Sequence, residues 1–244
     1  MFQHTIPMAP STQFSPTEAF ADSVPDGSAF ADLDLESNST LSASLLADLR
    51  RFGEEGDTTD LLPALAASVR HGKALALTLR RGSGLVRLSV FPRAQLFHCT
   101  VDLCALPGDE LAQLQLVHVE PEVALSPLPM EGAPVNPTQF APLPPLLWLM
   151  AEYGAHTELL PEIAGRVRYR MAPGFSPRDL PIEPSAMPLL QRLRSTTSSL
   201  QDLVEWTVRG PSRVSRLLNA LYLQAGLMVL RVSPKSTVPA WPEE

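Results

Sequence analysis

The chain of 244 residues contains few of the side chains on which catalytic, metal and disulfide sites depend. It has two lysines, Lys73 and Lys235, and two cysteines, Cys99 and Cys104. Two cysteines are too few for a disulfide-stabilised scaffold, so we interpret them as small buried side chains in a reducing compartment. The five histidines are scattered at spacings that make no metal site.

Motifs of nucleotide-dependent and hydrolytic enzymes are also absent. The sequence has no GxxxxGK(S/T) phosphate loop, no GxGxxG turn, no GxSxG nucleophile elbow and no HExxH zinc motif. We therefore expect a protein that is not an enzyme and needs no cofactor.

Long hydrophobic runs are missing. The best apolar stretch, residues 143–150, is far too short to span a bilayer. The opening residues MFQHTIPMAP lack the basic region and the apolar run of a signal peptide. These features predict a cytoplasmic protein without membrane insertion.

Acidic and basic side chains are unevenly distributed. Residues 1–163 hold 8 basic and 20 acidic side chains, whereas residues 164–242 hold 11 basic and 4 acidic ones. Such a division suggests an acidic part and a basic part with different roles. Alternatively, the acidic part simply neutralises the basic one within the molecule.

Residues 1–40 contain no basic side chain and are rich in Ser, Pro, Asp and Ala. This composition predicts a disordered acidic arm. A four-residue repeat, AFAD, begins at positions 19 and 29, and aromatic anchors spaced among acids are typical of docking peptides, although chance also produces short matches in such a tail. The candidate partner-binding residues are Phe20, Asp22, Phe30, Asp32, Leu33 and Leu35.

Residues 41–121 are predicted to form an α+β domain. Helical spacing of apolar residues starts near Leu41 and again at residues 59–71, with Gly72 after the second helix. Alternation then predicts a hairpin of residues 75–79 and 86–90, followed by two further strands at residues 95–100 and 114–120, and thus a small antiparallel sheet with helices.

Proline, at 25 residues, is about twice as frequent as in an average protein. Eight prolines between positions 121 and 145 predict a stiff linker over residues 122–145, followed by a helical and extended connector over residues 146–184.

The pattern of residues 185–236 predicts a winged-helix domain. Three short helices are expected at residues 186–194, 198–208 and 211–225, with a strand at residues 227–232. Ser198 and Gln201 have the spacing of a capping box for the second helix, and Pro211 suits the first turn of the third.

The third of these helices carries Arg213, Arg216 and Asn219 opposite its apolar stripe. Arg and Asn are residue types that a recognition helix uses on guanine and adenine edges. An ordinary solvated face is the alternative. Few other basic residues accompany them, and the acidic arm opposes DNA, so nucleic acid is a less favoured partner than protein.

Arg166, Arg168 and Arg170 alternate with Val167 and Tyr169, which places the arginines on one side of an extended segment. We call these three arginines the basic comb. Such a comb suits phosphates or an acidic peptide, including the protein's own arm. A charged edge strand that prevents aggregation would have the same pattern.

The block Leu146–Leu149, Tyr153-Gly154-Ala155 and Leu217–Tyr222 resembles the C-terminal winged-helix modules of bacterial signalling proteins associated with Ras-like GTPases and roadblock regulators. Residues 88–92 resemble the sheet of their PATAN-type effector domain, although Arg93 stands where a Gly normally follows the strand. This resemblance implies protein contacts, with a small GTPase or a regulatory complex as the kind of partner.

The sequence thus favours a non-catalytic bacterial cytoplasmic adaptor that acts through protein–protein contacts in a signalling assembly. The alternative is a winged-helix transcriptional regulator that binds DNA.

Overall fold

A computed structural model describes residues 44, 45, 47, 48, 60–127, 140–207 and 210–231. They form a five-stranded antiparallel sheet, a two-stranded antiparallel sheet and helices that pack on them. The predicted α+β class, with an antiparallel sheet and helices, is confirmed.

The elements between residues 61 and 91 follow the sequence pattern closely. Helix α1 (Leu61–His71) ends at Gly72, whose φ of 59° is the left-handed conformation that glycine favours at a helix end. Strands β1 (Leu75–Arg81) and β2 (Gly84–Phe91) form the expected hairpin, with Leu77 opposite Leu88. The alternating leucines and valines supply the buried face of this hairpin.

The larger sheet has the strand order β4-β1-β2-β3-β5. Its remaining strands are β3 (Leu96–Cys99), β4 (Gln115–Pro121) and β5 (Phe140–Pro142), and between β3 and β4 lie a 3₁₀ turn (Leu103–Ala105) and helix α2 (Gly108–Ala112). β3 and β4 lie where the sequence predicts strands.

The ends of the predicted linker belong to the fold, which corrects the expected range 122–145. The Glu122 side chain accepts hydrogen bonds from the N–H groups of Ala124 and Leu125, and β5 pairs with β3. Helix α3 (Leu143–Tyr153) contains Pro144 and Pro145 in its first turn, where proline is well tolerated. Residues 128–139 of the linker lie outside the described residues.

The C-terminal helices lie close to their predicted positions. They are α4 (Met187–Ser195), after a 3₁₀ turn (Pro184–Ala186), α5 (Leu200–Trp206) and α6 (Pro211–Leu223). Strand β7 (Leu227–Arg231) pairs with β6 (Val167–Met171), which precedes all three helices in the chain. The winged-helix arrangement of these elements stays a prediction.

A single hydrophobic core includes residues from Leu45 to Leu223. Helix α3 lies at its centre and contacts α1, α2 and β3 as well as α6. Its apolar side chains are buried on several sides, including Trp148 at 1% exposure. α3 thereby joins the larger sheet to the C-terminal helices, and α6 in turn contacts β7.

Candidate interaction surface

The basic comb lies on the solvent side of the two-stranded sheet. Arg168 and Arg170 are exposed within β6, and Arg166 is exposed just before it. The buried side chains that alternate with them are Val167, Tyr169 and Met171. Among the described residues, neither Arg166 nor Arg170 pairs with a carboxylate.

Strand β7 adds two apolar side chains to the same side of this sheet. The register places Arg168 opposite Leu230 and Arg170 opposite Met228, and directly opposed residues share a face. Met228 is 40% exposed and Leu230 is 42% exposed, so both apolar side chains lie open to solvent beside the arginines. We call Arg166, Arg168, Arg170, Met228 and Leu230 the β6–β7 face.

The strand that presents the comb is held firmly from behind. The hydroxyl of Tyr169 donates a 2.7 Å hydrogen bond to the carbonyl oxygen of Ile163, and burial raises the pKa of this phenol. The backbone of Tyr169 also exchanges two hydrogen bonds with that of Ser198. β6 is therefore paired with β7 on one side and, at Tyr169, with Ser198 on the other.

Arg168 is partly neutralised by a neighbouring acid. Its guanidinium lies 3.2 Å from the carboxylate of Asp202, which also accepts a hydrogen bond from the N–H of Ser199. Hydrogen bonds from the Ser199 backbone and hydroxyl, together with Arg168, lower the pKa of Asp202. A cleft of about 570 Å³ lies between the start of β6 and the start of α5.

The capping box of α5 is displaced by one residue from its predicted place. Ser199 and Asp202 form it, in place of Ser198 and Gln201. The backbone of Ser198 is used by Tyr169 and its side chain is buried, so the next residue becomes the cap.

The prediction that Asn219 lies on an exposed face of α6 is wrong, because this residue is fully buried. Its side-chain oxygen accepts a hydrogen bond of 2.9 Å from the N–H of Leu160, and its side-chain nitrogen donates one of 2.7 Å to the carbonyl oxygen of Glu158. An asparagine is tolerated here because it satisfies two main-chain groups of the loop that covers the helix.

Arg216 is also turned toward the protein. Its guanidinium donates hydrogen bonds of 2.9–3.2 Å to the carbonyl oxygens of Glu152, Gly154 and His156. These carbonyls end α3 and begin the next loop, so the side chain is an anchor for that segment. Of the three predicted face residues only Arg213 is exposed, 3.7 Å from the carboxylate of Glu183.

The partner-binding residues predicted in the arm lie outside the described residues, as do all of residues 1–43. The structure therefore places the comb and the α6 residues but not Phe20, Asp22, Phe30, Asp32, Leu33 and Leu35. Arg213 and the comb use different carboxylates among the described residues, since Arg213 lies near Glu183 and Arg168 pairs with Asp202.

Met228 and Leu230 were missed as surface residues by sequence reasoning. The sequence did contain a signal for their exposure. Residues 227–230 are all apolar, and a strand places alternate side chains on opposite faces. A two-stranded sheet with one buried face therefore had to expose two of these four side chains.

Within the described ranges, no group of three or more His, Cys, Asp or Glu side chains is placed to hold a metal ion. No helix within those ranges is long and apolar enough to cross a membrane.

Comparison of the chain with family models, with curated proteins and with solved structures gave no match. The β6–β7 face is therefore interpreted from its own geometry and charge.

Proposed function

We propose that the protein is a non-catalytic adaptor of the bacterial cytoplasm and that it binds a protein partner through the β6–β7 face. The observation that supports this proposal is the pairing of exposed arginines with exposed apolar side chains across two strands. Arg and Met are enriched in protein interfaces, and arginines are frequent among the residues that contribute most to binding.

The chemistry of the face suggests the chemistry of its partner. Three guanidinium groups favour carboxylates, and the side chains of Met228 and Leu230 favour apolar groups placed between those carboxylates. We therefore expect a partner surface in which acidic and apolar side chains alternate. A signalling assembly with a small GTPase or a regulatory complex remains the kind of partner that the sequence resemblance implies.

The DNA-binding alternative has less support. A recognition helix needs free polar side chains, whereas Asn219 is buried and Arg216 is engaged with three carbonyl oxygens. Fluorescence anisotropy with mixed-sequence duplex DNA across a salt series tests this alternative directly. Affinity that falls steeply with salt would favour it over the adaptor proposal.

The test of the adaptor proposal uses two matched double variants of the full chain. Arg170→Glu with Leu230→Ser changes the β6–β7 face. Arg80→Glu with Leu85→Ser changes a directly opposed, exposed Arg–Leu pair on the larger sheet. Each variant alters one arginine and one leucine, so general effects of charge and solubility are matched.

Affinity capture from nuclease-treated lysate of the source cells, followed by quantitative mass spectrometry, compares these chains. We expect at least one protein that the unaltered chain and the Arg80/Leu85 variant retain equally. The Arg170/Leu230 variant should retain it at least about tenfold less, which corresponds to about 1.4 kcal/mol of binding. Equal retention of every captured protein by both variants would contradict the proposal.

A further inference from the structure

The acidic arm of this chain has the chemistry that the β6–β7 face favours in a partner. Residues 19–36 contain five acidic side chains and no basic one. Two phenylalanines, Phe20 and Phe30, and two leucines, Leu33 and Leu35, are interspersed among these acids. The arm thus offers alternating carboxylates and apolar groups to a face of alternating arginines and apolar groups.

The point at which the arm joins the fold is linked by side chains to the segment that leads into this face. Leu45 is fully buried in the core, and the carboxylate of Asp48 accepts a hydrogen bond from Arg70. A second nitrogen of the same guanidinium donates to Glu162, which is four residues before Arg166. One arginine therefore connects the root of the arm to the segment that leads into β6.

The reach of the arm is long compared with the separation of Glu162 from the comb. Residue 36 is eight residues before Ser44, and eight extended residues span up to about 27 Å. Glu162 and Arg166 are four positions apart in the chain, so their Cα atoms are at most about 14 Å apart. The repeat can therefore lie over the comb without any change in the described part of the fold.

We propose that residues 19–36 of this same chain dock on the β6–β7 face and compete there with the protein partner. The carboxylates of Asp22, Asp32 and Asp34 pair with the comb arginines. The phenyl rings of Phe20 and Phe30 cover Met228 and Leu230. The competition with a partner rests on the proposed function, whereas the docking itself does not.

The charges around the face are consistent with this arrangement. Arg166 and Arg170 have no carboxylate partner among the described residues, and Arg168 shares its only one, Asp202, with the α5 cap. Docking of the arm would also keep the exposed side chains of Met228 and Leu230 away from water when no partner is bound.

The docking is tested with a benzophenone derivative of phenylalanine placed at position 30 of the full chain. Illumination should join it to Met228 or Leu230 within the same molecule, as mapped by mass spectrometry, with a yield independent of protein concentration. Placement of the same probe at Phe2, outside residues 19–36, serves as a control and should give a much lower yield at these two residues.

Two sets of substitutions separate specific docking from accidental proximity. Asp32→Asn with Asp34→Asn should lower the yield by about threefold to tenfold, as expected for two lost surface ion pairs. Arg168→Glu with Arg170→Glu should lower it further, and Arg80→Glu with Leu85→Ser should leave it unchanged. Raising NaCl from about 0.1 M to about 1 M shortens the screening length from about 10 Å to about 3 Å and should lower the yield as well.

The outcomes distinguish the two proposals. The docking of the arm would be overturned if the cross-links formed only with other surfaces or only between molecules. It would also be overturned if the Asp32/Asp34 variant gave the same yield as the unaltered chain. If docking is found, Phe20→Ser with Phe30→Ser should increase partner capture at least about threefold, by the loss of a competitor of modest affinity. Unchanged capture by this variant overturns the competition, while loss of capture in the Arg170/Leu230 variant still supports the adaptor proposal.

Discussion

The side chain of Asn219 on α6 and the backbone N–H of Leu160 form a buried hydrogen bond of 2.9 Å between segments 59 residues apart in the chain. The same carboxamide donates to the carbonyl oxygen of Glu158, so both of its polar atoms are used. Together with Arg216, this residue fastens the loop after α3 to α6.

Asn219→Ala should lower the free energy of unfolding by about 2–4 kcal/mol, because it leaves the N–H of Leu160 and the carbonyl oxygen of Glu158 buried without their partner. Urea denaturation followed by circular dichroism measures this difference. Gln224→Ala, which removes one hydrogen bond of a half-buried side chain to Pro144, is the control and should cost clearly less. Equal losses would contradict the assigned role of Asn219.

Arg216→Lys should destabilise the fold by about 1–3 kcal/mol, since one ammonium group cannot replace a guanidinium that donates to three carbonyl oxygens. Arg213→Lys, one turn earlier on the same helix, changes an exposed arginine and should cost less than about 0.5 kcal/mol. Thermal and urea unfolding of the two variants give the comparison. If the ranking is reversed, Arg216 is not the anchor of the loop.

Gly154→Ala tests the close approach of backbone at the end of α3. A Cβ atom at this position would lie 2.3 Å from the carbonyl oxygen of Met150, and the backbone fixes the positions of both atoms. We expect a loss of about 1–3 kcal/mol in unfolding free energy. Gly84→Ala, whose Cβ would meet its nearest neighbour at 3.7 Å, should stay within about 0.5 kcal/mol of the unaltered chain.

Glu122 is expected to make stability depend on pH. Burial alone would raise the pKa of its carboxyl, but hydrogen bonds from Ser89, from two backbone N–H groups and from Arg87 outweigh burial and lower the pKa. Because the folded pKa lies below the unfolded value of about 4.3, the contribution is fully present above that pH. It is lost as the pH falls through the folded pKa.

Glu122→Gln should therefore cost about 1.5–3 kcal/mol at pH 7 and much less at pH 3, as measured by urea unfolding at both pH values. Glu110→Gln is the control, because its half-exposed carboxylate pairs with Arg81 at the surface. It should change stability little at either pH. A Glu122→Gln cost that is the same at pH 3 as at pH 7 would show that the lost group acts by packing and not by charge.

The two thiols should react slowly in the folded protein. Burial, and the nearby Asp102 carboxylate, raise the pKa of both Cys99 and Cys104, which lowers the thiolate fraction at neutral pH. Alkylation by iodoacetamide at pH 8, followed by mass spectrometry, should be slower for the native chain than for the chain in urea. Equal rates in the two conditions would contradict this prediction.

Much of the fold was predictable because its signals are local. The alternation of apolar and polar residues in 75–90 specified the β1–β2 hairpin. Apolar residues that recur every three or four positions specified α1 and α6. Strand β5 was missed since its three residues, Phe140–Pro142, are too few to show a period and lie among prolines. The prolines at 144 and 145 were interpreted as linker although proline is common in a first helical turn.

The environment of Arg216 and Asn219 was not predictable from the helix pattern. Helical spacing tells which side chains share a face, but it does not tell which other segment covers that face. The carbonyl oxygens that these residues bind lie about 60 positions earlier, in a loop with no periodic signal of its own. The outward direction of the comb, by contrast, followed from the period of two in β6.

The central position of α3 has a consequence for how the protein unfolds. The apolar surface of this helix is divided between the larger sheet and α6. Removal of either the sheet or the C-terminal helices would therefore expose part of the hydrophobic core. Heat and denaturant should consequently melt the chain in one cooperative transition, and shorter fragments cut near residue 164 should tend to aggregate. Genetic dissection of this chain is thus best done by substitutions, which keep α3 covered on every side.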